Sequence, residues 1–175
     1  MNYKSVSDGL NNVISKPYYH SELIEDVFEA YDDKYKALKV FEFTTEDNTV
    51  YEMEIDVRYS TELHSHTYDF SYEIRDTEDV YKQIKASNFY KLYNTVCYLH
   101  ISSLIELVNK TDDVPLMKVK GIGARDENGN RLSDYRKEDM AIRLLDRHYP
   151  VESIFKDSEG DSIIKLNAEL FKQLL

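Results

Sequence analysis

The stretch Phe89 to Lys110, FYKLYNTVCYLHISSLIELVNK, constrains this chain more than any other. Phe89, Leu92, Tyr93, Val96, Cys97, His100, Ile101, Leu104, Ile105 and Val108 recur at spacings of three and four, which predicts a helix with one broad apolar face. No other segment holds so long a pattern, so this helix is expected to be the rod on which the rest packs.

Two clean alternations precede it. Tyr51, Met53, Ile55 and Val57 alternate with Glu52, Glu54 and Asp56; Tyr68, Phe70, Tyr72 and Ile74 alternate with Asp69, Ser71 and Glu73. Period-two patterns of this kind predict half-buried antiparallel strands with one face in water. With Val40, Phe41 and Phe43 ahead of them they give a three-stranded meander, and Arg58–Thr67 reads as a loop. Val114 to Ile122 reads as a fourth strand and Ile163 to Leu166 as a fifth, after a turn at Gly160-Asp161.

Two further helices are expected. Leu23, Ile24, Val27, Phe28 and Tyr31 share one face of a helix that starts near Glu22 and ends at Asp32-Asp33. The second begins at Ser133-Asp134, carries Met140, Ala141, Leu144, Leu145 and His148 on one side, and stops at Pro150. The expected fold is therefore α+β: a mainly antiparallel sheet of about five strands packed on the central helix, with an N-terminal and a C-terminal helix. An arm over residues 1–16, one domain over 17–167 and an apolar tail over 168–175 complete the division.

The chain has 33 acidic and 22 basic residues and a formal charge of −11, which sets an unfavourable field against direct nucleic-acid binding. One cysteine excludes an internal disulfide and a cysteine-based zinc site, and Cys97 falls on the apolar face of the central helix. The first residues lack an apolar signal core, and no run reaches the length needed to span a bilayer. The expected setting is the cytoplasm of a bacterial host, or a particle packaged from it. Fifteen tyrosines and no tryptophan suit rims and interfaces, where the ring is buried and the hydroxyl stays wet.

Candidate sites are few. His64 and His66, two apart and near Glu62 and Asp69, would face the same way on a strand and could share a divalent metal; solvated loop histidines are the plainer reading. Arg136, Arg143 and Arg147 share a side of the last helix and form the one basic stripe, suited to an acidic partner or to pairing with Glu138, Asp139 and Asp146. Phe171 and Leu174 in the apolar tail complete the interaction candidates. The element order matches that of the acetyl-CoA-dependent N-acetyltransferases, but the connection RDTEDVYKQIKASN lacks the glycines that would cradle a diphosphate. Gly121-Ile122-Gly123 reads as a strand end entering a loop. No catalytic constellation and no cofactor is expected.

The runs ELIEDVFEAYDDKYKALKVFEFTTEDNTVYEMEIDV, YDFSYEI, NTVCYLHISSLIELV and RKEDMAIRLLDRHYP resemble a class of small bacteriophage α+β proteins. That resemblance implies a virion or assembly component of head, neck or tail, contacting neighbouring subunits or copies of itself. Two alternatives stand beside it. One is an acidic inhibitor of a nucleic-acid-binding or host-defence protein, which requires Glu52, Glu54, Asp56, Asp69 and Glu73 to share one negative face. The other is a divergent acetyltransferase-like enzyme.

Overall fold

The structure is a computed structural model and describes residues 17–75, 86–119, 128, 149–173 and 175. The described part is mostly β. Seven strands form one mixed sheet in the order β1-β2-β3-β4-β5-β7-β6. They are β1 (Ser21–Tyr31), β2 (Lys34–Thr44), β3 (Val50–Ser60), β4 (Ser65–Ile74), β5 (Leu116–Val119), β6 (Val151–Lys156) and β7 (Ser162–Leu166). Helix α1 (Ala86–Thr111) connects β4 to β5, which run parallel, and a short α2 (Ala168–Gln173) follows β7. All other strand pairs are antiparallel.

This corrects the expected five-stranded α+β arrangement. The N-terminal helix expected near Glu22–Tyr31 is strand β1, an 11-residue edge that makes the meander four-stranded. The helical spacing in its sequence has a physical origin. A bulge between Leu23 and Glu25 shifts the alternation by one residue. Leu23 pairs with Phe41 and Phe28 with Ala37 on one side of the sheet, whereas Val27 pairs with Leu38 on the other. A period of two with one inserted residue imitates spacings of three and four. The expected loop Arg58–Thr67 shrinks to a four-residue turn, with His64 in the left-handed region at φ 51°. The last expected helix, the glycine pair at 121 and 123, and the N-terminal arm lie outside the described residues.

The core lies between α1 and one side of the sheet. Leu92, Val96, Leu99, Ile101, Leu104, Leu107 and Val108 of α1 join Phe43, Tyr51, Met53, Ile55, Val57, Tyr68, Met117 and Ile164 in one apolar cluster. Cys97 is buried with them. Polar bonds fix how the helix sits. Tyr68 donates its hydroxyl to the His100 carbonyl at 2.9 Å, and the Tyr19 N–H donates to Thr95 Oγ1 at 3.0 Å. At the helix end Asp112 takes φ 57° and returns its N–H to the Val108 carbonyl at 2.8 Å, which closes the last turn. Tyr68→Phe is expected to cost about 1 kcal/mol in urea unfolding, the usual net worth of one buried hydrogen bond.

Among the described residues no helix is long and apolar enough to cross a membrane.

Candidate functional site: an acidic sheet face

The side of the meander turned away from α1 carries charge. Alternation along β2 and β3 sends Phe41, Phe43, Tyr51, Met53, Ile55 and Val57 to the core, so Glu42, Glu52, Glu54 and Asp56 project to the reverse side. Register then decides which acidic residues stand opposite one another. Glu22 pairs with Glu42, Glu42 with Glu52, and Glu52 with Glu73, so one cross-strand row holds glutamate on all four strands. Asp56 pairs with Asp69 four residues along. Glu25 and Glu54 stand at either side of the buried Val40.

Cations offset only part of this. Arg75 pairs with Glu42, Arg58 with Asp56 at 2.9 Å, and Lys36 with Glu29 at 2.8 Å. The hydrogen bond to Asp56 pushes the Arg58 guanidinium further up. Among the described residues Glu22, Glu25, Glu52 and Glu54 form no ion pair. Like charges placed directly opposite cost about 0.2–1 kcal/mol per pair. Glu52→Gln, which removes the central charge of the row, is therefore expected to stabilise the fold by about 0.5 kcal/mol in urea unfolding. A destabilised variant would show that the row is internally compensated.

The histidine pair does not converge. His64 is exposed in the turn, while His66 is buried on the core side of β4. His66 Nε2 accepts the Tyr35 N–H at 3.1 Å, and its Nδ1 lies 3.1 Å from Asp113 Oδ2. The tautomer this fixes has its hydrogen on Nδ1. Tyr35 stacks on the imidazole at 3.8 Å and donates its hydroxyl to the same Asp113 oxygen at 2.8 Å. Burial, and then that bond to Asp113, pushes the Tyr35 phenol well up. A backbone N–H already occupies the one free imidazole nitrogen, so the trio ties β2, β4 and the end of α1 together rather than presenting a base.

Asp157, Glu159 and Asp161 have donor atoms within 4.8 Å of one another, a set that could suit a cation. Lys118 supplies one. Its Nζ lies 3.2, 3.1 and 3.1 Å from the three carboxylates. A shallow cavity of about 210 Å³ beside it is lined by Tyr59, Glu62, Thr67, Lys118, Asp157 and Glu159. In the turn between β2 and β3, Glu46 accepts the Tyr19 hydroxyl at 2.5 Å and pairs with Lys91. The hydrogen bonds from Lys91 and Tyr19 hold its carboxyl down at about 2.

Of the other sequence candidates, Phe171 is 1% exposed and stacks on Tyr149 at 5.9 Å, inside the core. Arg136, Arg143, Arg147 and Leu174 lie outside the described residues. Sequence reasoning named Glu52, Glu54, Asp56, Asp69 and Glu73 but missed Glu22 and Glu42. Glu42 could have been found from Phe41 and Phe43 on either side of it in β2, and Glu22 from the alternation of β1, hidden by its bulge.

Compared with protein-family models, curated proteins and solved structures, the chain matches none.

Proposed function

We propose that this is a non-catalytic interaction protein whose acidic sheet face engages the basic, nucleic-acid-binding surface of another protein. The observation that supports the reading is the four-strand glutamate row. It places like charges side by side at a cost in stability, on a side of the sheet the core does not need. A carboxylate array on a rigid sheet presents negative charge at fixed spacing, as a phosphate backbone does, and competes for the same lysines and arginines.

A double reversal tests it. Glu42→Lys with Glu52→Lys raises the net charge by four units at the centre of the row. Asp32→Lys with Asp33→Lys raises it equally in an exposed turn. With poly-L-lysine as the basic probe at low salt, the first variant is expected to lose at least tenfold in affinity and the second to change by less than threefold. Equal losses would reduce the effect to net charge and sink the proposal.

A second reading, a subunit of a larger phage particle, is favoured by Ile154 and Phe155. They are 45% and 39% exposed on β6, the sheet's other edge.

A further inference from the structure

Strand β1 is hydrogen-bonded to β2 and ends the sheet. Among the described residues no strand covers its outer edge, so the outward backbone N–H and C=O groups of this 11-residue strand can take another strand. Two more properties coincide there. Leu23, Ile24 and Tyr31 are 48%, 55% and 46% exposed, so three of the chain's exposed large apolar side chains lie on this strand. The strand also carries Glu22, Glu25, Asp26 and Glu29, and contains no lysine or arginine. Lys39 meets Asp26 at 3.6 Å and Lys36 meets Glu29 from the neighbouring β2, while Glu22 and Glu25 have no such partner among the described residues.

These features select an occupant. A second copy joined β1 to β1 would set carboxylates against carboxylates, and the bulge at Leu23/Glu25 spoils the flat register such pairing needs. Joining β1 to β6 of another copy would supply one lysine, Lys156, together with Glu152. An extended segment that alternates lysine or arginine with apolar residues meets none of these objections. Its backbone satisfies the edge, its apolar side chains cover Leu23 and Ile24, and its cations answer Glu22 and Glu25 on the other side. Charge that forbids one pairing and permits another is how specificity is set at a strand edge.

We infer that the free edge of β1 binds a basic, extended segment of the partner protein as an added strand. This rests on the acidic-face reading above and names where and how such a partner docks.

The probe is an eleven-residue capped peptide alternating lysine and valine. Two controls accompany it: the same peptide N-methylated at alternate residues, and one with glutamate in place of lysine. Fluorescence anisotropy gives affinity, and amide hydrogen exchange gives the place. Saturable binding is expected, weakened at least tenfold by either control, with new protection confined to Ser21–Tyr31. Leu23→Lys with Ile24→Lys, both at exposed positions and checked for folding by circular dichroism, is expected to weaken binding at least tenfold. Equal binding of the N-methylated peptide without protection of β1 would overturn the inference and leave the acidic-face proposal standing. Protection on β6, or a wild-type dimer in light scattering that the double variant abolishes, would also overturn it. Absence of binding by any basic probe would remove both proposals.

Discussion

Lys118→Met is expected to destabilise the fold by about 3–5 kcal/mol, the usual cost of removing one partner from a buried charged group. Met117 and Val119 of β5 point into the core, and Lys118, between them, reaches the turn that joins β6 and β7. There it meets Asp157 and Asp161, whose side chains are each 5% exposed. Burial opposes the charge on Lys118, yet bonds to Glu159, Asp161 and Asp157 hold its ammonium well above the ordinary lysine range. Burial likewise opposes the charge on Asp157, but the Asp161 N–H and Lys118 bring its carboxyl below the ordinary range. Methionine keeps the length of the side chain and leaves two buried carboxylates facing each other. The exposed Glu159 adds little to the loss. At about 2–4 °C per kcal/mol for a chain of this size, the melting temperature should fall on the order of 10 °C. Adding Asp157→Asn and Asp161→Asn to Lys118→Met should recover most of it. A loss below about 1 kcal/mol would show that water already screens the cluster.

The strands with strict alternation were legible in the sequence because one physical cause, a core on one side and water on the other, acts on every second residue. Tyr51 to Val57 is the plainest instance. The 26-residue α1 was legible for the same reason at a different period. Strand β1 was not, because a single inserted residue at the bulge mixed two phases into a helix-like pattern. That one misreading also hid one end of the glutamate row, since Glu22 joins it only when β1 is placed beside β2. The parallel pairing of β4 with β5 was illegible in principle: periodicity fixes which residues are buried and says nothing of which strand lies next to which. His66 fell between these cases. Its spacing from His64 suggested a shared face, but the turn ends between the two and β4 begins at Ser65, so one histidine stays in water and the other enters the core.

Acid is expected to unfold the protein partly through one residue, His100. Its ring is buried in α1, tilted against Tyr68 at 5.2 Å and Tyr149 at 6.1 Å. Burial alone pushes its pKa down from 6.5 to about 3. The folded protein therefore keeps His100 neutral while the unfolded chain takes up a proton once the pH drops below about 6.5. A group whose folded pKa is depressed gives stability that is complete above the unfolded pKa and is lost as pH falls towards the folded one. Each pH unit in that window is worth about 1.4 kcal/mol, so by pH 4.5 the loss from this residue should reach about 2–3 kcal/mol. His100→Leu removes the titrating group and keeps the site filled, so its stability between pH 7 and 4.5 should fall less steeply than that of the parent. Whatever the substitution does to packing is a constant offset, and the remaining histidines and carboxylates are common to both proteins. The difference between their urea-unfolding free energies against pH isolates His100. Parallel curves, or a His100 ring signal that titrates near pH 6.5 in the folded state, would show that the imidazole is hydrated and that burial does not govern its charge.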